Sequence, residues 1–178
     1  RRYDVIIVAA PDPVSAQINR FYTVEFFEEA SAGLEPGGVL GAAVSSADNY
    51  VSREQAMLLA CLRRSLRSVF GSVVMLPGDP CHFIASEGSG LTCDASVLSK
   101  RIAERKLDVV YVRDYYLADR LAPSRAAALD AAVDRETALL NTDLRPTCYF
   151  LGVVLWNRRV GDPPSSFFGL HNRLTPAA

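Results

Sequence analysis

Apolar residues follow two rhythms along this chain. Residues Asp4 to Ala10 (DVIIVAA) form an unbroken apolar run rich in Val and Ile. That is the pattern of a strand buried on both faces of a parallel sheet. Pro11-Asp12-Pro13 ends it, because neither proline donates to a ladder and each fixes its own φ. From Thr23 to Gly33 the spacing becomes helical, with Phe26, Phe27 and Ala30 on one face and Glu25, Glu28 and Glu29 towards water. Pro36-Gly37-Gly38 predicts a turn, and Val39 to Val44 a second strand. Ser52 to Phe70 carries Ala56, Leu59, Ala60, Arg63, Leu66 and Phe70 at helical spacing, with Ser52 placed to cap the amide of Glu54 or Gln55.

Beyond that helix, Val73 to Leu76 predicts a third strand, Pro77-Gly78-Asp79-Pro80 a turn, and His82 to Ser86 a fourth strand. A Gly/Ser spacer follows, then a helix from Ala95 to Lys106 capped by Asp94, a last short strand from Val109 to Val112, and a helix from Pro123 to Glu136. Pro123 suits a first turn, where its missing N–H is not needed. The order strand, helix, strand, helix, strand predicts an α/β layer, the second half of a doubly wound sheet. It should be mostly parallel with an antiparallel edge hairpin, because a tight turn joins the last pair of strands. Three units are expected: residues 1–90 carrying the sheet, residues 91–160 as a mainly helical extension packed on it, and residues 161–178 as a loosely ordered tail.

Nineteen Lys and Arg against twenty Asp and Glu leave a net charge of −1. That removes any global electrostatic case for nucleic-acid binding, which needs a basic patch or stripe. The four cysteines are Cys61, Cys81, Cys93 and Cys148, scattered without C-x-x-C or zinc-ligand spacing, so free buried thiols and no metal are expected. No run approaches the roughly 20 apolar residues of a membrane helix, and the nearest, Cys148 to Trp156, soon meets Arg158 and Arg159. There is no signal-peptide pattern, so the expected location is cytoplasmic. The chain opens on Arg1-Arg2 without an initiator Met, which suggests a piece of a longer parent.

In open α/β sheets, ligands bind at the carboxyl ends of strands. Asp12 lies just past the first strand, where a carboxylate can hold an ammonium, although its spacing by itself favours a turn former between two prolines. Gln17 and Asn19 follow in the same polar loop. No phosphate-binding Gly-rich loop and no G-x-S-x-G occurs, and of the two histidines His82 sits in an apolar strand and His171 in the tail. Tyr115-Tyr116 and Tyr149-Phe150 read as packing aromatics.

Taken together, YDVIIVAAPDP, NRFYTVEFF, LEPGGVL, VFGSVVMLPG and HFIAS resemble the second half of the catalytic domain of spermidine synthase-like proteins. These are Rossmann-like aminopropyltransferases related to methyltransferases. YVRDYYLADRL and NTDLRPTCYFLGVVLW are similar to larger bacterial members fused to membrane-spanning segments, and the resemblance covers residues 3 to about 157. It implies a Rossmann-like, methyltransferase-like sheet and a transfer reaction. An aminopropyl group moves from decarboxylated S-adenosylmethionine to a polyamine nitrogen, releasing methylthioadenosine. Such an enzyme must orient the amine, hold its cationic groups and accept a proton, which favours an acidic cleft.

Residue by residue, the family's second Asp and Pro at this strand end match Asp12 and Pro13, the amine-binding position, and Asn19 and Tyr22 match an N-R-F-Y pattern over the cleft. The substrate-binding set implied is therefore Asp12, Gln17, Asn19 and Tyr22. The first Asp, the usual base, falls on Ala9, which implies reduced or lost activity. Asp48 and Asp79, each just after a strand, are possible substitute carboxylates. The family's Gly-rich nucleoside-binding half has no counterpart in these residues, so the expected partners are a polyamine and either the upstream half or a second copy. Membrane contact is expected only through a parent, at its cytoplasmic face. Two other readings stay open: a catalytically silent binding or scaffold module of a membrane-anchored parent, and an S-adenosylmethionine-dependent methyltransferase-like protein.

Overall fold

The computed structural model describes residues 1–47 and 50–160, the last three as helix backbone. Its strands are β1 (Tyr3–Val8), β2 (Leu34–Val44), β3 (Ser72–Leu76) and β4 (Cys81–Ser86), joined in one sheet in the order β1-β2-β4-β3. β1 and β2 pair in parallel, while β4 is antiparallel to both β2 and β3. β3 therefore runs in the same sense as β1 and β2, and the carboxyl ends of these three strands share one rim. This is the α/β sheet with an edge hairpin that the element order predicts.

The connection from β1 to β2 passes through α1 (Ala16–Asn19), a single 3-10 turn (Arg20–Tyr22) and α2 (Val24–Ala32). α3 (Arg53–Arg67) links β2 to β3, and its start is fixed where expected, with Ser52 Oγ accepting the Gln55 amide at 3.2 Å. Alternate β2 residues Leu40, Ala42 and Val44 are buried, and Ala42, Phe83 and Met75 stand in register across three strands. Phe27 of α2 and Leu58, Leu59, Leu62 and Leu66 of α3 complete that core.

Among the described residues, this is the face that α2 and α3 cover. Val5 and Ile7 of β1 are 57% and 75% exposed, whereas the sequence predicts a strand buried on both sides. α2 and α3 belong to one core, and among the described residues Val5 and Ile7 on the opposite side of β1 stay exposed. Pro36-Gly37-Gly38 is not a turn. β2 runs through it as a bulge: the ladder steps from Tyr3↔Leu34 to Val5↔Val39, and Gly37 takes φ +79°.

The remaining helices are α4 (Ala95–Glu104), α5 (Asp114–Arg120), α6 (Pro123–Asp134) and α7 (Thr147–Val160). Asp94 caps α4 as expected, and bonds from the Ser96 hydroxyl and then the Val97 and Ser96 amides hold its carboxyl below the usual range. Val109 to Val112 forms no strand but an exposed loop, with Tyr111 85% exposed, and Tyr115 of the next helix faces water instead of packing. Arg63 of α3 is nearly buried and pairs with Asp130 and Asp134 of α6. No helix among the described residues is long and apolar enough to cross a membrane.

Candidate functional site at the carboxyl rim

A strand's last amides lose their ladder partners and must find acceptors elsewhere. At the end of β2 two carboxylates supply them. Asp12, just past β1, takes the Ser45 amide on Oδ1 at 2.7 Å, and Asp79, just past β3, takes the Ser46 amide on Oδ1 at 3.1 Å. Gln55 of α3 donates to the Ser45 carbonyl at 2.6 Å. Two of the candidate carboxylates thus meet around adjacent backbone amides, with Asp12 half-buried and Asp79 exposed. Asp48 lies outside the described residues, as do His171 and the tail.

The loop residues divide. Gln17 is exposed on α1, and Ala9 presents a methyl group to solvent. Tyr22 is fully buried, its hydroxyl 2.9–3.1 Å from the carbonyls of Ala10, Pro11 and Ala43. Burial, and then the Asp12 carboxylate, push that phenol well above its ordinary range, so it remains a donor. Asn19 is 1% exposed and accepts the Tyr149 amide at 3.0 Å, capping the start of α7. The Tyr22 hydroxyl and Asn19 Oδ1 are thus engaged by backbone beneath the rim. A loop pattern shows that a polar residue is present but not which way it turns.

Asn141 escapes the sequence reading altogether. Fully buried, it donates to the Tyr22 carbonyl at 2.8 Å, accepts the Cys148 amide at 3.0 Å, and gives its own amide to Ser65 Oγ at 2.8 Å. The available signal was a lone amide side chain directly after Leu139-Leu140.

Space at Asp12 is tight. Leu155, Trp156 and Gly152 of α7 close over it and leave a cavity of about 10 Å³, roughly one water. α7 approaches so closely because residue 152 has no side chain: a Cβ there would stand 2.7 Å from the Pro13 carbonyl oxygen. A wider cleft of about 550 Å³ opens at the same rim between Ser46, Tyr50, Pro77 and Gly78 and, across from them, Arg125 of α6 and Arg135 just past its end. An acidic cleft of about 540 Å³, lined by Glu28, Glu35 and Glu87 with Arg2, lies where β2 begins, at the opposite end of the sheet. Gly37 and Gly38 also lie at that end and form no cradle for a nucleoside at the rim. Among the described residues no cluster of His, Cys, Asp or Glu is placed to hold a metal ion.

No family model matches the chain. Among solved structures, it is similar to a spermidine synthase in complex with the transition state analogue AdoDATO, at 17% identity and a TM-score of 0.56. The match covers 76% of this chain and 46% of that one. A probable spermidine synthase from Corynebacterium glutamicum ATCC 13032 overlaps at 20% identity over 69% of this chain and 46% of that one, with a TM-score of 0.40 that is too loose to carry an argument. The first likeness is one of fold, and it makes the sheet Rossmann-like and methyltransferase-like. The chain spans under half the length of either structure.

Proposed function

We propose that the chain is part of a spermidine synthase-like transferase domain, one that moves an aminopropyl group from decarboxylated S-adenosylmethionine to a polyamine. In that reaction a nitrogen–carbon bond forms, the sulfonium carbon–sulfur bond breaks, methylthioadenosine leaves, and the attacking amine loses a proton. The observation that carries the reading is the place of Asp12. It stands at the carboxyl end of a parallel strand, in a fold shared with a spermidine synthase, with one oxygen fixed by the Ser45 amide. A carboxylate so held is oriented for an ammonium. Ala9 can neither accept a proton nor bind a cation, so in this reading Asp79, across the same pair of amides, receives the proton. The described residues do not place the nucleoside, and no step is routed through it.

A second reading is a catalytically silent binding module, favoured by Ala9 together with the cavity of about 10 Å³ at Asp12. Calorimetric titration of the chain with putrescine and spermidine, then chromatographic detection of methylthioadenosine from the longer parent protein after adding decarboxylated S-adenosylmethionine, separates the two. The transferase reading expects amine binding weakened about tenfold in Asp12→Asn, which keeps an oxygen for Ser45 but loses the charge. It also expects product release that depends on the amine. Amine binding without release supports the silent module. Absence of any amine binding overturns Asp12 as the amine site.

A further inference from the structure

Two of the thiols meet inside the protein. Cys61 lies in the middle of α3 and Cys148 in the first turn of α7, and the Cys148 thiol donates to Cys61 Sγ at 3.4 Å. Both are buried, at 1% and 0% exposure. A pair of sulfurs in van der Waals contact needs only a modest approach to reach the roughly 2.05 Å of a disulfide bond. By contrast, no sulfur contact joins Cys81, buried in β4, or the half-buried Cys93 to another thiol among the described residues.

We infer that Cys61 and Cys148 form an oxidisable dithiol whose closure to a disulfide pins α7 to α3 and fixes the wall that α7 builds over Asp12. The same turn of α7 is already held by Asn19 on the Tyr149 amide and Asn141 on the Cys148 amide, so the thiols sit where the helix docks. One turn further on, Gly152 rests on Pro13, and Leu155 and Trp156 close the Asp12 cavity. A bond at Cys148 therefore limits how far that wall can swing.

The oxidant is a peroxide. One thiolate attacks hydrogen peroxide to give a sulfenic acid and hydroxide, the second displaces hydroxide from it, and both hydroxides take up the protons released. The sum is two thiols and one peroxide giving one disulfide and two waters. Burial, followed by the neighbouring Cys61 thiol, raises the Cys148 pKa well above that of a free thiol, so reaction waits on transient opening of α7. The switch is slow to set and, once shielded again, slow to reverse.

The test uses the whole chain. After treatment with hydrogen peroxide at neutral pH and alkylation in denaturant, intact mass and peptide mapping should show a loss of about 2 Da confined to a Cys61–Cys148 linked peptide. The melting temperature should rise by roughly 5–10 °C, returning on reduction, since the bond closes a loop of 87 residues' separation. Amide exchange over residues 148–156 should slow in the oxidised form. All four cysteines alkylated after treatment would overturn the inference, as would a linkage through Cys93 or a disulfide that leaves exchange in α7 unchanged. The mapping is made on the unaltered chain, so it does not depend on whether Cys61→Ser or Cys148→Ser folds. It is also indifferent to whether the rim binds an amine.

Discussion

The hydroxyl of Tyr22 has one proton and three carbonyl neighbours, those of Ala10, Pro11 and Ala43, at 2.9–3.1 Å. It ties the ends of β1 and β2 together at the point where the Asp12 loop departs. Tyr22→Phe keeps the ring, so no cavity opens and the apolar contribution stays. What is lost is one hydrogen bond, and a carbonyl once served by it is left short of a donor in a dry environment. That sets the loss at about 1–3 kcal/mol, because the proton serves one acceptor at a time and the three distances do not add. For a chain of this size the melting temperature should drop by roughly 3–10 °C. Urea denaturation followed by circular dichroism checks it, with the slope unchanged if the native state stays intact. A loss under about 0.5 kcal/mol would mean the hydroxyl is not engaged as described. A loss beyond about 4 kcal/mol would mean that it serves more than one acceptor. If Tyr22→Phe left stability untouched but abolished amine binding, the residue would be a substrate contact and the account of a buried strap would fail.

Gly152→Ala should destabilise by about 1–2 kcal/mol, since the roughly 1 kcal/mol gained in helix propensity is outweighed by overpacking against the Pro13 backbone. Gly41→Ala, where a Cβ meets nothing within 4 Å, is the control and should be tolerated in the same melt. Burial, then the Asp130 carboxylate, push the Cys81 thiol up from 9.0 to about 12, so its protonated form is favoured in the fold. The stability this contributes is fully present below about pH 9 and is lost as pH rises towards 12; a Cys81→Ala variant should show a shallower decline over that window, and an equal slope would refute the assignment. The bare flank of β1 should make the chain associate with a second copy at high concentration, and Ile7→Lys should reduce this in light scattering. A monomer at every concentration would count against it.

Local chemistry was the legible part of this fold. Ser52, Asp94 and Pro123 announce helix starts because a cap or a fixed φ acts within a few residues, and the structure uses each as read. The hairpin β3–β4 follows equally from its short turn. What failed depended on neighbours distant in sequence. Pro36-Gly37-Gly38 has turn composition, yet pairing with β1 draws it into β2 as a bulge. Cys148 to Trp156 looks like a bare apolar run, and only its burial against α3 and the caps from Asn19 and Asn141 make it the heart of α7. The strand-end rule led to Asp12 and Asp79, because topology fixes where strand ends gather. Asn19 was legible as a polar loop residue and Tyr22 through its match to the N-R-F-Y pattern, but neither in its direction.

The amides at the end of β2 also have a bearing on which cations suit this rim. Ser45 takes one acceptor site on one oxygen of Asp12 and Ser46 one on one oxygen of Asp79, so each carboxylate keeps a single oxygen unshared with these amides. A guanidinium is a planar fork that gains most when both oxygens of one carboxylate receive it, and here it must share one of them with a backbone amide. A primary ammonium is compact, with donors fanning from one point, and a lone oxygen on either side satisfies it. Under the proposed transferase reading, the backbone of β2 therefore favours a simple amine over a guanidine at this rim.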